Sequence, residues 1–152
     1  MMKKLQDKFI LVVDDDKRML RALERVLAGE GATVTVAQWV GDALDSLTAR
    51  QKRVDLVITD LRMPFVSGLT AVYAIHEMFP ALPVIVLTAF GSPDVKAECL
   101  RQGAAAFLEK PLNSSELLKM IEQVFAAHPA GAGPAATGGE EKTEILTEPA
   151  AT

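Results

Sequence analysis

The chain has 152 residues, 49% of them hydrophobic and 24% charged, with a formal net charge of −4. That length carries one domain with a real core but not two of ordinary size, and its Lys and Arg residues are scattered with no basic stripe, which argues against direct nucleic-acid binding. Cys99 has no second cysteine to pair with, which excludes an internal disulfide or a cysteine metal site, fits a reducing compartment and reads as a small buried hydrophobe on a helix.

The start, Met1-Met2-Lys3-Lys4, is basic and leads to the apolar run Phe9-Ile10-Leu11-Val12-Val13. Three aspartates end that run too early for a signal sequence or a membrane span, so the expected location is cytoplasmic with no membrane partner. A helical stripe follows through Met19, Leu20, Leu23, Val26 and Leu27, and Gly29 and Gly31 mark its end. Thr33 to Ala37 alternates polar and apolar, as a strand at a sheet edge does, and Val40, Ala43, Leu44 and Leu47 supply the next helix. Leu56-Val57-Ile58-Thr59 predicts a buried strand, followed by a turn through Pro64 and Gly68 and a helix from about Leu69 to Met78. Val84 to Thr88 is a further buried strand, after which Ser92-Pro93 opens a helix that Gly103 closes. Ala105 to Leu108 gives the last strand, and Asn113 with Glu116 three residues on is a capping pair for a helix carrying Leu117, Ile121, Val124 and Phe125.

Five strand-helix repeats predict an α/β, doubly wound, parallel five-stranded sheet in the flavodoxin-like order 2-1-3-4-5, with helices on both faces. Residues 1–128 form the expected domain. Residues 129–152 form the expected disordered tail, first rich in Ala, Gly and Pro as a linker is, then acidic with Ile145 and Leu146; this last stretch reads first as an unstructured terminus with no partner and second as a short docking peptide.

In an open parallel sheet the functional crevice lies outside the carboxyl ends of the strands. Asp14-Asp15-Asp16 ends the first strand, Asp60 the third and Thr88 the fourth, while Lys110 follows the fifth. Two carboxylates 4 Å apart repel by roughly 4 kcal/mol at an effective dielectric of 20, so such a cluster needs cations. Lys110 supplies one charge, and a hard divalent ion such as magnesium suits oxygen ligands and an incoming phosphate. One carboxylate could then attack phosphorus, and Asp60, alone at the end of a central strand, is the best nucleophile, with Asp14 and Asp15 placed to hold metal. Taken singly, Asp16 reads as a helix cap, Asp60 as a turn residue and Thr88 as a strand residue, but their convergence on one rim does not. His76 and His128 lie away from strand ends and read as surface residues.

The blocks Phe9 to Asp16, Ile58-Thr59-Asp60-Leu61-Arg62-Met63-Pro64, Gly68, Leu87-Thr88-Ala89 and Glu109-Lys110-Pro111 resemble the receiver domains of two-component response regulators, from about Phe9 to Ala127. The resemblance implies Asp60 as phosphoacceptor, Asp15 as a direct magnesium ligand, Asp14 as a ligand largely through water, and Arg62 as a ligand through its backbone carbonyl. It implies that Lys110 holds Asp60 at rest and the phosphoryl group afterwards, and that Thr88 and Phe107 form the switch. A cis Lys110-Pro111 bond, control of hydrolytic water by Arg62 and Phe90, and an output face from Asp94 to Gln102, around Phe107 and from Ser114 to Ala127 are further implications. The partners implied are a sensor histidine kinase or phosphotransfer protein, an output protein or output domain, and a phosphorylation-dependent dimer. Such a protein catalyses its own phosphorylation and slow dephosphorylation but is not a turnover enzyme.

Three other readings fit less well. A flavin carrier needs hydroxyls and amides after its first strand, where three aspartates would repel phosphate. A haloacid-dehalogenase-type phosphohydrolase resembles Asp-x-Asp with its nucleophile on the first strand. A phosphorylation-independent binding module has no use for Asp14, Asp15, Asp60, Thr88 and Lys110 together.

Overall fold

Apolar runs and helical stripes alternate in space as they do in sequence in the computed structural model, which describes residues 3–49, 53–61, 68–89, 91–111 and 113–128. The elements are β1 (Phe9–Val13), α1 (Lys17–Gly29), β2 (Thr33–Ala37), α2 (Val40–Thr48), β3 (Leu56–Thr59), α3 (Gly68–Met78), β4 (Val84–Thr88), α4 (Pro93–Arg101), β5 (Ala106–Glu109) and α5 (Ser114–Ala127). All strand pairs are parallel and the order is β2-β1-β3-β4-β5. The buried runs of β3, of β4 and of β1 from Ile10 onward occupy the middle, and the partly exposed β2 lies at an edge, as its polar-apolar alternation predicts.

Period-two alternation divides the core between the two faces of the sheet. Ile10, Val12, Ile58 and Leu87 pack with Leu20 and Leu27 of α1 and Leu117 and Ile121 of α5. Leu11, Val13, Val57 and Val86 pack with Leu47 of α2, Val72 and Ile75 of α3 and the fully buried Cys99 of α4. Leu5, which belongs to no strand, is also fully buried on the first face.

Helix starts follow the capping chemistry written in the sequence. Asp16, Ser92 and Asn113 accept from the amides of Arg18 (2.9 Å), Val95 (3.2 Å) and Glu116 (2.7 Å), each worth about 1 kcal/mol. At the end of the sheet away from the candidate site, Asp55 ties β1 to β3: it accepts from the Phe9 amide at 2.8 Å and from Arg53 Nε at 3.1 Å.

Two sequence expectations change here. His76 is half-buried rather than at the surface, because its ring fills the space a side chain on Gly103 would occupy, and His128 is half-buried with Nδ1 2.9 Å from the Val124 carbonyl. The cations that look scattered along the sequence are not scattered on α1, where Arg18, Arg21 and Arg25 are all exposed at i, i+3 and i+7 and so share one face. Among the described residues no helix is long and apolar enough to cross a membrane.

Candidate functional site

Register explains why the acidic residues meet. Val12 pairs with Ile58 and Val13 with Thr59, so the next residues, Asp14 and Asp60, emerge side by side. The alternation that sends Val12, Ile58 and Leu108 toward α1 and α5 also sends Asp14, Asp60 and Lys110 to that side. Backbone bonds fix the strand ends: the Asp60 amide donates to Val13, the Asp14 amide to Ala37 and the Lys110 amide to Thr88, at 3.1, 3.1 and 2.8 Å.

Carboxylate oxygens of Asp14, Asp15 and Asp60 all lie within 4.8 Å of one another. Asp14 and Asp60 are buried, while Asp15 is half-exposed. Lys110 Nζ stands 3.0 Å from Asp14 Oδ2 and 3.6 Å from Asp60 Oδ2. The ammonium therefore sits between both acids, closer to Asp14 but also within ion-pair distance of Asp60, the resting partner that the resemblance implies. Asp60 is also held through Oδ1, which accepts from the Leu61 amide at 2.8 Å. Burial pushes the Asp14 carboxyl above the ordinary carboxylate range, although the Asp16 amide, donating at 2.9 Å, and Lys110 both pull it down. Three hard oxygen donors around one ammonium are a donor set that a small divalent cation fits.

Thr88 is fully buried at the end of β4. It pairs with Glu109, and Val86 pairs with Phe107, so Thr88 and Phe107 lie diagonally on the sheet face that α2, α3 and α4 cover. Phe107 is buried against the loop before α4, where a Cβ on Gly91 would stand 2.9 Å from the ring's Cζ. The Lys110-Pro111 bond is cis, as the resemblance implied. Arg62 and Phe90 fall outside the described residues. The Asp16 carboxylate caps α1 and is not one of the three clustered acids; Asp16 touches the cluster through its backbone amide, which donates to Asp14.

Two further residues shape the site: Gln38, which the sequence did not signal, and Gly68, which it marked only as part of a turn and of the family pattern. Gln38 Nε2 donates to the Asp15 carbonyl at 3.3 Å, anchoring the β1–α1 loop to the end of β2. Gly68 presses its Cα against the backbone at Asp60 and Leu61, and its amide donates to the Leu61 carbonyl at 2.8 Å.

A parallel five-stranded sheet with clustered acids, a threonine and a lysine at its carboxyl rim defines a class of α/β domains, and comparison places this chain within it. Residues 10–122 match the response regulator receiver domain family, and the chain belongs to that family. The DNA-binding transcriptional regulator NtrC of Escherichia coli K12 is 34% identical over 122 residues, covering 80% of this chain and 26% of that protein. This chain thus spans about a quarter of the length of that relative. Among solved structures, a CheY-like receiver domain protein from Methanospirillum hungatei JF-1 superposes with a TM-score of 0.75 at 28% identity, covering 80% of this chain and 95% of that one. The beryllofluoride-activated NtrC4 receiver domain dimer superposes with a TM-score of 0.73 at 29% identity, covering 80% and 98%.

Proposed function

We propose that this receiver is a cytoplasmic phosphorylation switch in which Asp60 accepts a phosphoryl group with the help of magnesium. The observation that carries the reading is the convergence of Asp14, Asp15 and Asp60 oxygens within 4.8 Å, with Lys110 Nζ inserted at 3.0 and 3.6 Å. Asp14, Asp15, Asp60 and the carbonyl of Arg62 would hold the metal, which when bound supplies charge neutralisation for phosphoryl oxygens.

Asp60 is suited to attack because the Leu61 amide engages Oδ1 and leaves Oδ2 toward Lys110. As the bond from Asp60 to phosphorus forms, the bond from phosphorus to the donor breaks and its electron pair leaves with the donor, giving an acyl phosphate. Lys110 turns from the carboxylates to the phosphoryl oxygens, where an ammonium opposes developing charge. Thr88 donates its hydroxyl to one of those oxygens, and Phe107 packs into the space vacated beside β5, changing the face made by α4, β5 and α5. Arg62 and Phe90 limit access of hydrolytic water.

Residues 1–128 act as the receiver and 129–152 as its tail. A sensor histidine kinase or phosphotransfer protein serves as donor. The signal goes to an output protein or an attached output domain, as the much longer NtrC relative suggests, or to a phosphorylation-dependent dimer, as the dimeric NtrC4 receiver suggests.

The test is incubation with acetyl phosphate. One acid-labile phosphoryl group per chain is expected with magnesium, and none with chelator or in Asp60→Asn. Full labelling of Asp60→Asn, or many phosphates released per chain, would remove Asp60 or the switch reading respectively.

A further inference from the structure

Met19, Ala22 and Val26 of α1 form one wall of an open groove of about 240 Å3, whose other wall includes Leu117 of α5 and whose upper end reaches Lys110. One position earlier, Arg18, Arg21 and Arg25 repeat the same i, i+3, i+7 spacing, so an exposed guanidinium row runs beside the apolar wall. Lys17, Arg21 and Arg25 follow one another at i+4, and the single acid of α1, Glu24, lies with Arg21 on the side of the helix that faces β2, leaving Arg18 and Arg25 nearer the slot. Arg18 reaches Asp16 only at 3.8 Å while 90% exposed, and Arg21 and Arg25 have no ion pair among the described residues. An apolar slot flanked by exposed cations, of which only Arg18 has a long ion pair, suits an acidic segment that carries a few aliphatic side chains.

The chain's own sequence contains that segment. Glu141, Glu144 and Glu148 follow the i, i+3, i+7 spacing of the arginines, and Ile145 and Leu146 are the large aliphatic residues of the sequence after His128. Reach is sufficient. The last turns of α5 lie beside the start of the chain, where Glu122 faces Lys4 and Phe125 lies under Lys8, and the Leu5 amide bonds to Glu30 just past α1. Arg25 and Val26 are therefore near the end of the domain from which the chain continues. The eleven intervening residues, 129–139, are Gly, Ala, Pro and one Thr, a composition whose coil dimension is roughly 18 Å at that length. The row from Arg18 to Arg25 is about 10 Å long.

The geometry points to an intramolecular dock in which residues 140–148 lie along α1 of their own chain. Glu141, Glu144 and Glu148 meet Arg18, Arg21 and Arg25, and Ile145 and Leu146 fill the slot between α1 and α5. A tether this short sets an effective concentration of about a millimolar, so even a contact with millimolar intrinsic affinity is about half occupied.

The experiment uses the full 152-residue chain carrying Cys99→Ala and a spin label on Ala150→Cys. Amides from Met19 to Val26 should lose about half or more of their NMR intensity to the label, and should recover in about 0.5 M salt, where the screening length is only a few Å. The triple variant Glu141→Gln, Glu144→Gln, Glu148→Gln should abolish the loss, and it should shift the α1 amides of the unlabelled natural chain even if the label perturbs folding. Intensity loss on α1 no greater than on β2 or α3, or one unaffected by the triple variant, overturns the dock. Loss seen between a spin-labelled chain and a separate isotope-labelled chain overturns its assignment to one molecule.

Discussion

Gly68→Ala separates the geometry of the acceptor loop from ordinary helix energetics, because the two predict opposite signs. A Cβ on Gly68 would stand 2.2 Å from the Asp60 carbonyl oxygen and 2.4 Å from the Leu61 Cα, where ordinary contact begins at 3.4 Å. Both atoms are backbone, so no flexible side chain can yield, and the end of β3 must move from the start of α3 by about 1 Å. Overpacking of this kind costs about 1–3 kcal/mol. Helix propensity alone would favour Ala by up to about 1 kcal/mol, and less at a first helical residue. The expected net result is destabilisation by about 1–2 kcal/mol in urea unfolding. A reacting group displaced by about 1 Å can lose 10²-fold in rate, so labelling by acetyl phosphate should slow at least tenfold. Gly41→Ala is the control: it is helical with nothing within 4 Å of the added atom, and should be neutral or stabilising by about 0.5 kcal/mol with labelling unchanged. A Gly68→Ala chain as stable as the natural one, labelled at the natural rate, would refute the argument.

Three further outcomes follow from the site and the fold. Because burial raises the Asp14 pKa in the folded chain, the stability this group contributes is full below its unfolded value, near 4, and is lost as pH rises through the raised value. A bound cation needs the ionised form, so magnesium affinity should instead rise over that window. Titration followed by the fluorescence of Trp39, which adjoins Gln38, would refute this by showing no pH dependence above the ordinary carboxylate range. Lys110→Met removes the ammonium between buried carboxylates and should cost about 2–3 kcal/mol in chelator. Magnesium should then raise the Tm more in this variant than in the natural chain, and an equal or smaller rise would contradict the proposed sharing of the acids. Asp55→Ala leaves the Phe9 amide unpaired and should cost about 1–3 kcal/mol. Labelling should be unaffected, since Asp55 lies at the far end of the sheet; slowed labelling in folded protein would count against this division of roles.

What the sequence made legible was what periodicity and capping encode. Continuous apolar runs marked β1, β3 and β4 as central, alternation marked β2 as an edge, and Asp14, Asp60 and Lys110 could be gathered at one rim because parallel strands align their carboxyl ends. Contacts between residues distant in sequence were less legible. The Gln38 amide reaches Asp15 across a strand boundary, and His76 is drawn inward by an absent side chain on Gly103, neither of which has a periodic signature. Leu5 stands outside every repeat yet is fully buried. The basic face of α1 escaped notice because cations three and seven residues apart look dispersed until the helix gathers them.

The two faces of the sheet divide the proposed switch into an electrostatic half and a packing half, and the end of β4 joins them. Asp14, Asp60 and Lys110 lie on the α1/α5 side, where an excess of carboxylate over ammonium makes the balance of charge sensitive to any added ion or phosphoryl group. Phe107 lies on the opposite side, buried against the loop at Gly91 and indifferent to charge. Thr88 belongs to that second side by alternation, yet its carbonyl accepts the Lys110 amide at 2.8 Å, so the backbone that places the lysine also places the threonine. A new acceptor at Asp60 would draw on both residues at once. Because a dense interior repacks between discrete arrangements rather than deforming smoothly, a small displacement of Thr88 would be read at Phe107 as a choice between two rotamers. Gly91 borders this site of the proposed switch: a Cβ there would stand 2.4 Å from the Glu109 carboxylate and 2.9 Å from the Phe107 Cζ, so a side chain would press on the ring and on Glu109 without touching the clustered acids.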